Sequence, residues 1–219
     1  AWPTEQLAPP EEAIEQIELA RLVRFLEHPV KAFFNNRLRV YLREGTVPED
    51  EEVFALDGLQ SWKLQKALAD KWMHSDSELA SLQANLVAQG VLPHGSQATL
   101  AFTYVADKAE SLWSKLAPFR GVEILPRGVD LKLVVPGALA GEVHLHGQIK
   151  DYRPGLGLMH FTPSRLKGKS VLRLWVEHLA LCAMGRLKEG EVSVLHCSDE
   201  SRAFAAVSAS QASTWLADF

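Results

Sequence analysis

The sequence predicts an α+β fold, in which a mainly helical first part is followed by short strands with one long helix packed on them. Two observations support this prediction. Apolar residues recur at helical spacing through much of residues 1–118, and beyond Pro118 the chain changes to short β-rich runs separated by proline and glycine turns. The length of 219 residues and the apolar share of 47% leave room for one large domain or two small ones.

The first part is expected to contain helices with recognisable start and stop signals. Pro9 and Pro10, followed by two glutamates, mark a helix start, because acids stabilise the positive end of the helix dipole. Pro29 ends that helix near residue 28, and Gly90 ends a later one. The predicted helices span 9–28, 30–42, 56–72, 77–88 and 108–116, with an acidic loop at 45–52 and a strand at 100–105.

The second part is expected to be a meander of strands. Turn chemistry is found at Pro126-Arg127-Gly128, Pro136-Gly137 and Pro154-Gly155. The predicted strands span 122–125, 129–135, 142–152, 156–161, 192–197 and 203–207, with helices at 168–187 and 210–219.

Composition and motifs exclude several classes of protein. No window approaches the 18 apolar residues of a membrane span, and no basic segment followed by an apolar core marks a signal peptide. Phosphate-binding glycine loops and Gly-x-Ser-x-Gly elbows are absent. Cys182 and Cys197 stand in apolar surroundings and are interpreted as reduced core thiols, as in cytosolic proteins. Because the chain starts at Ala1 without methionine, we expect it to be a piece of a longer gene product.

The strand around residues 143–150 offers the best candidate metal ligands. His144 and His146 share one of its faces, so they could bind a metal with His160 or His178 as a third ligand. No carboxylate or thiolate accompanies the pair at the usual spacing, which favours an ordinary half-exposed polar face. Nucleophilic catalysis is also disfavoured, because burial should raise the pKa of Cys182. Cys197 and the preceding histidine should lie on opposite faces of a strand.

A basic strip runs against the formal net charge of −4. Between residues 150 and 173 six Lys or Arg residues stand against one acid, Asp151, which gives a local net charge of +5. Such a strip could hold phosphates, or it could be a solvated helix start, and charge alone does not separate the two. Tyr152 and Phe161 could stack on bases or belong to the core. The candidate DNA-binding residues are Lys150, Arg153, Arg165, Lys167, Lys169 and Arg173.

Four sequence phrases, in order along the chain, carry a family resemblance. Residues 22–38 read LVRFLEHPVKAFFNNRL, residues 54–60 read FALDGLQ, residues 90–95 read GVLPHG and residues 172–183 read LRLWVEHLALCA. The first is similar to the pattern L-x-R-F-W-x-H-P-x-x-x-F-F-x-x-R-L. The third and fourth are similar to G-x-L-P-x-G and L-W-L-E-H-L-x-x-C-A. These patterns belong to the C-terminal domain of the RecC family, which comprises the gamma subunits of bacterial exodeoxyribonuclease V. The chain resembles this domain from about Leu22 to Ala183.

The resemblance implies a restriction-endonuclease-like core, similar to the RecB-type nuclease domain, with a mixed sheet and flanking helices. Active nucleases of that type carry Gly-x-x-Asp and Asp-x-Lys on successive strands and gather carboxylates around Mg²⁺. Here Lys150 stands where the aspartate is expected, and His160 and Thr162 replace the second pair. A cation in place of a carboxylate repels Mg²⁺, so the resemblance implies no catalytic residues. A shift of one residue would bring Asp151 into the comparison.

The resemblance also implies a role and partners. We expect a non-catalytic pseudo-nuclease domain of a RecC subunit of the RecBCD helicase–nuclease, serving subunit assembly and DNA strand guidance in double-strand-break repair by homologous recombination. The implied partners are RecB, RecD and DNA, with RecD docking on this domain, in the bacterial cytoplasm. Mg²⁺ and ATP would be used by the partner subunits, so no cofactor is expected here. The whole chain, 1–219, would be a fragment of one domain, with a helical part at 1–118 and a nuclease-like core at 119–219 that is truncated at its end.

Two alternatives remain open on sequence alone. An active metal-dependent nuclease of the same fold would need Asp151 to meet Glu142 or Glu177 at a metal. A pure protein-interaction module would make no contact with DNA. Tryptophans that prove to be exposed would be the first suspects for docking a partner, although core tryptophans are commoner. The set to inspect is Trp62, Trp72, Trp113 and Trp175.

Overall fold

The computed structural model describes residues 13–41, 57–74, 79–92, 94–137, 139 and 141–219. The predicted start of the first helix near residue 10 and the acidic loop at 45–52 lie largely or wholly outside these ranges. A short 3₁₀ helix, Ala117–Phe119, follows the fifth α-helix. The other elements are, in chain order, β1 (Gln16–Glu18), α1 (Leu19–Glu27), α2 (Pro29–Asn36), α3 (Gly58–His74), α4 (Leu79–Ala88), α5 (Ser96–Leu116), β2 (Arg127–Val134), β3 (Glu142–Ile149), β4 (Tyr152–Arg153), β5 (Gly157–Phe161), α6 (Gly168–Ala183), β6 (Val192–His196), β7 (Ser201–Ala205) and α7 (Ala209–Ala217).

The described strands form two sheets of mixed direction. In the first, β3 lies between β1, which runs parallel to it, and β2, which pairs with it as an antiparallel hairpin. In the second, the order is β4-β5-β6-β7, and only β5 and β6 run parallel. The connection between these two parallel strands contains α6, as expected because parallel neighbours need a long crossover. The predicted α+β class is confirmed.

The largest core is built around α6. Its residues Leu174, Leu179 and Leu181 are fully buried, and they belong to one apolar cluster with residues of β2, β3, β5, β6 and α7. Leu19 and Val23 of α1 belong to the same cluster. The predicted helical part, 1–118, therefore contributes its first described helix to the core of the strand-rich part.

The helices α3 and α5 pack against each other beside this core. One apolar cluster joins them through Leu68 and Phe102, among others. A further cluster brings Met73 and Leu116 against Met159 of β5 and Val194 of β6. The helical layer thus supports the second sheet at the point where its two parallel strands meet.

Some element predictions are wrong for physical reasons. Residues 16–18 form a strand rather than helix, because pairing with β3 competes with local helical spacing. The predicted strand at 100–105 lies inside the 21-residue helix α5, whose buried positions recur every three or four residues and so override the β-rich composition of that stretch. Residues 122–125 form no strand, and the strand predicted at 142–152 is interrupted after Ile149.

Two glycines allow close approaches next to the site described below. A Cβ atom at Gly147 of β3 would lie 3.2 Å from the Cβ atom of Leu19, and the φ angle there is +147°. Gly157 at the start of β5 has φ of +103°, and a Cβ atom there would collide with the backbone of Val192. Both positions need glycine, so that α1 can lie on β3 and β6 can pair with β5.

Candidate functional site

The candidate site lies where the end of β3, the middle of β5 and one face of α6 come together. Lys150 and Asp151 directly follow β3, His160 lies in β5 and Glu177 lies in α6. The hairpin and crossover connections place these sequence-distant residues side by side. Gly147, which allows α1 to approach, is on the same strand.

A histidine lies between two carboxylates at this site. The Nε2 atom of His160 is 3.0 Å from Oε2 of Glu177 and 3.8 Å from Oδ2 of Asp151. The histidine and glutamate side chains are largely buried, at 12% and 16% exposed, whereas that of Asp151 is about half exposed. When it is protonated, the imidazole therefore forms ion pairs with Glu177 and, at the longer distance, with Asp151.

The other residues predicted at this site lie around that trio. Lys150 is exposed, and the hydroxyl oxygen of Thr162 accepts a hydrogen bond from the amide of Ser164 at 3.3 Å. Glu142 lies at the opposite end of β3, where it pairs with Lys132 at 3.6 Å, so it takes no part. Within the described ranges no three or more His, Cys, Asp or Glu side chains are arranged to hold a metal ion, this trio included.

The predicted basic strip is only partly a surface feature. Arg165, Lys167 and Lys169 are exposed around the N-terminus of α6. Arg153 is buried, at 3% exposed, and burial lowers the pKa of its guanidinium. Its Nη1 atom donates to the backbone carbonyl of Asp151 at 3.2 Å. In this conformation Arg153 cannot reach a phosphate on the surface, which a count of charges along the sequence does not reveal.

Arg173 is exposed but paired. It donates two hydrogen bonds to the carboxylate of Glu27 in α1, at 2.9 and 3.1 Å, and this carboxylate raises the pKa of Arg173 above its ordinary value. The bidentate pair ties α1 to α6. Beside it is a cavity of about 170 Å³, lined by Leu19, Ala20, Val23, Arg24, Gln148, Arg173 and Glu177.

The histidine pair on β3 forms a polar face, as the favoured interpretation predicts. His144 Nε2 lies 2.7 Å from Oδ1 of Asp130 on β2, and the His144 and His146 rings are 5.6 Å apart. His178, one of the two possible third ligands, is fully buried in α6, with its Nδ1 atom 2.9 Å from the hydroxyl of Ser193. Burial lowers the pKa of His178 to about 4, so it is a neutral core residue.

Both cysteines are free and buried, as predicted. Burial raises the pKa of Cys182, and it raises the pKa of Cys197 to about 11. The Sγ atom of Cys182 lies 3.6 Å from Nε2 of His178, but a protonated thiol beside a neutral imidazole is not an activated nucleophile. The predicted burial of Cys182 is confirmed.

A second carboxylate next to β5 was not predicted. Glu191, 4% exposed, accepts hydrogen bonds from the Tyr152 hydroxyl at 2.8 Å, the Gly155 amide at 2.8 Å and the Lys188 amide at 3.0 Å. Burial alone would raise the pKa of Glu191, but these donors together lower it. The glutamate fixes the turn after β4, and Tyr152 is a core residue under the guanidinium of Arg127. A buried acid beside a Pro-Gly turn leaves no recognisable pattern in one sequence.

The tryptophans named as docking suspects are all partly buried. Trp62 donates to the hydroxyl of Ser164 at 2.8 Å, and Trp72 stacks on Trp113. Trp175 packs against His178, Phe204 and Trp215. None of the four is therefore a free surface ring. No helix within the described ranges is long and apolar enough to cross a bilayer.

The fold and the site together define an α+β domain of mixed sheets with an imidazole–carboxylate cluster where its strands and long helix meet. The family model of the RecC C-terminal domain matches residues 14–219. The chain therefore belongs to the family of RecC C-terminal domains.

Full-length relatives agree with this assignment. The chain is 29% identical over 203 residues to the RecBCD enzyme subunit RecC of Escherichia coli (strain K12), covering 92% of this chain and 17% of that protein. It is 27% identical over 174 residues to the RecC subunit of Haemophilus influenzae, covering 78% and 15%. It is 20% identical over 205 residues to that of Buchnera aphidicola from Acyrthosiphon pisum, covering 93% and 18%. The chain thus spans less than a fifth of the length of these relatives.

Proposed function

We propose that this chain is a non-catalytic, nuclease-like domain of a RecC subunit, serving subunit assembly and DNA strand guidance in a RecBCD helicase–nuclease during double-strand-break repair. The observation that carries the proposal is His160, which lies between Asp151 and Glu177. An imidazole that pairs with both carboxylates competes with a divalent cation for the same oxygen atoms. Lys150, which precedes Asp151 in the chain and is exposed, adds a cationic group near these carboxylates.

The restriction-endonuclease-like assignment is part of this proposal. It is supported by the β2–β3 hairpin, by the α6 crossover between parallel β5 and β6, and by the position of the degenerate residues at the junction of these elements. In such nucleases this junction carries the metal-binding carboxylates. Here the equivalent positions carry Lys150, His160 and Thr162, so the scaffold would persist without the chemistry.

Strand guidance is inferred from the exposed cations near the degenerate site. Lys150, Arg165, Lys167 and Lys169 are exposed, and they could hold a DNA backbone without cutting it. Because such contacts are mainly electrostatic, binding should be weak and should fall as salt rises.

The remaining parts of the proposal follow from family membership. RecB and RecD would be the partner subunits, with RecD docking on this domain, and DNA would be the shared ligand. The partners would use Mg²⁺ and ATP, so this domain would need no cofactor of its own. The complex would act in the bacterial cytoplasm, and residues 1–219 would be a fragment of one domain within the larger subunit.

A cleavage assay tests the absence of catalysis. The purified chain should leave end-labelled single- and double-stranded DNA intact in the presence of Mg²⁺ or Mn²⁺. Sustained digestion that is abolished in Asp151→Ala would instead show an active metal-dependent nuclease. This second candidate is favoured by one observation, the approach of Asp151 and Glu177 to a single imidazole.

A binding assay tests strand guidance. Reversing two exposed charges in Lys167→Glu/Lys169→Glu should weaken DNA binding and lower its salt dependence. The control is Lys108→Glu, which reverses the charge of an exposed lysine of α5 in the same direction and should change DNA binding less. DNA binding that is unchanged by the double reversal would refute the role of the strip. No DNA binding by the wild-type chain, even at low salt, would favour a pure protein-interaction module.

A further inference from the structure

The helix pair α1–α2 presents a surface that the described part of the molecule does not cover. Helix α2 is eight residues long and has no buried residue, although it carries Val30, Phe33 and Phe34. Helices of this length are marginal in water unless one face packs against something. Phe33 is 46% exposed, and Phe25 on α1 is 44% exposed. The pair therefore displays aromatic rings that proteins usually bury.

Helical spacing groups these rings with arginines. On α1 the exposed residues Arg21, Arg24 and Phe25 lie on the face opposite the buried Leu19 and Val23. On α2 the residues Val30, Phe33 and Arg37 follow one another at three- and four-residue steps and are all exposed. We call the six exposed residues the α1–α2 face; they are Arg21, Arg24, Phe25, Val30, Phe33 and Arg37.

The charge of this segment is strongly positive. Residues 19–41 contain five Lys or Arg and a single acid, Glu27, whose carboxylate is already bound by Arg173. Within the described part of the chain, Arg21 and Arg37 have no carboxylate partner, and the Arg24 guanidinium is 3.9 Å from an exposed glutamate. A net charge of +4 thus stands in 23 residues of a chain whose total is −4.

A surface that combines cations with exposed aromatic rings suits single-stranded DNA better than other ligands. Single-stranded DNA supplies a phosphate and an unstacked base at every nucleotide, so it can neutralise the arginines and cover the rings together. An acidic protein segment would neutralise the arginines, but its carboxylates would not cover the rings. A duplex would offer phosphates while keeping its bases stacked.

The α1–α2 face also adjoins the proposed DNA strip. Arg24 lines the same cavity of about 170 Å³ as Gln148 and Arg173. Gln148 lies two residues before Lys150, and Arg173 belongs to the predicted strip. A strand on the α1–α2 face could therefore continue onto the strip, passing Glu177, which lines the same cavity, and Glu27, whose carboxylate is bound by Arg173.

We propose that the α1–α2 face is a binding surface for single-stranded DNA, in which Phe25 and Phe33 stack on bases and Arg21, Arg24 and Arg37 contact phosphates. This inference rests on the proposed function, because it extends the DNA contact from the strip to a second surface. It adds a base-stacking component that the strip, made of Lys and Arg side chains, does not provide. Binding would also cover the exposed side of α2, whose other side packs on α1.

Fluorescence anisotropy with a labelled oligothymidylate of about 16 nucleotides tests this surface. Phe33→Ala in the full chain should weaken binding by about fivefold to tenfold, the effect of one stacked base. The same variant should bind an abasic deoxyribose-phosphate oligomer as the wild type does. Arg37→Gln should weaken both ligands and reduce the salt slope by about 0.7. Tyr104→Ala, which removes a 56% exposed ring from α5, is the matched control and should change neither.

The outcomes separate this inference from the proposed function. If Phe25→Ala and Phe33→Ala bind oligothymidylate like the wild type while Lys167→Glu/Lys169→Glu weakens it, the inference is refuted and the strip stands. If the wild-type chain binds no oligothymidylate at low salt, both fail. If polyglutamate binds the face and Phe33→Ala weakens that binding but not DNA binding, the occupant is an acidic protein segment and the inference is overturned. Near-ultraviolet circular dichroism of each variant checks that the fold is retained.

Discussion

Two glutamates lie beside β5, and they differ in what holds them. Glu191 is enclosed and accepts hydrogen bonds from two backbone amides and the Tyr152 hydroxyl. Glu177 is less enclosed; it faces His160 at 3.0 Å and also interacts electrostatically with Arg173. The first carboxylate is part of the framework, because its partners cannot be exchanged. The second belongs to a partly buried polar cluster whose chemistry depends on the residue at position 160.

The fold depends on Glu191 more than on the cluster that contains Glu177. The turn that Glu191 holds sets the distance between β4 and β5, and so it positions His160. The cluster of Asp151, His160 and Glu177 contributes little to the core, which is formed by apolar residues of α6 and the strands. Substitutions at the cluster therefore leave that apolar core unchanged.

The largest effect is expected from Glu191→Ala. This change leaves two amides and a phenol without their acceptor in a buried place, and it should lower the free energy of unfolding by about 4 kcal/mol. Urea denaturation measures it. Glu189→Ala, at an exposed position two residues earlier, should change stability by less than about 0.5 kcal/mol. A loss below about 1 kcal/mol for Glu191→Ala would mean that the glutamate is not a framework residue.

The pH dependence of the free energy of unfolding separates His178, which is buried, from His146, which is half-exposed. Burial lowers the pKa of His178 to about 4 from 6.5, so the folded chain binds fewer protons at this site than the unfolded chain. The contribution of His178 to the free energy of unfolding is fully present above pH 6.5 and falls as the pH drops towards 4. At about pH 5 the loss is about 2 kcal/mol. His178→Gln should lack this loss, whereas His146→Gln, on the half-exposed face of β3, should retain it. Equal pH dependence in the wild type and His178→Gln would contradict the assignment.

The smallest effect is expected from Glu177→Gln. Glutamine keeps the size of the side chain and removes only the ion pair with His160, so the free energy of unfolding should fall by less than about 1 kcal/mol. Urea denaturation beside Glu191→Ala gives the direct contrast. A loss as large as that of Glu191→Ala would mean that Glu177 supports the fold as strongly as Glu191 does.

Sequence patterns predicted the local structure well where a single periodicity dominates. The strand alternation around residues 143–149, the long helix α6 and the burial of Cys182 were predicted correctly, because each follows from spacing or from local apolar content. The stretch at 100–105 was assigned wrongly, because Phe102 and Val105 are also spaced for the buried face of a helix.

Contacts between distant parts of the chain could not be predicted. The approach of Glu177 to His160 depends on the α6 crossover, and the burial of Arg153 depends on how β4 turns into β5. Pairing of β1 with β3 is also non-local, so a helix was predicted there instead. The resemblance singled out Lys150, His160 and Thr162, and the structure supplied their surroundings.

The central claim, that His160 occupies the place of a metal ion between Asp151 and Glu177, is tested most directly by titrating Mn²⁺ into the chain and measuring the heat. We expect the wild type to bind no Mn²⁺. We expect measurable binding by Lys150→Asp/His160→Asp, in which carboxylates replace the lysine and the histidine. Thermal unfolding with and without Mn²⁺ would show the corresponding stabilisation of that variant alone. Binding of Mn²⁺ by the wild type that disappears in Asp151→Ala would contradict the claim.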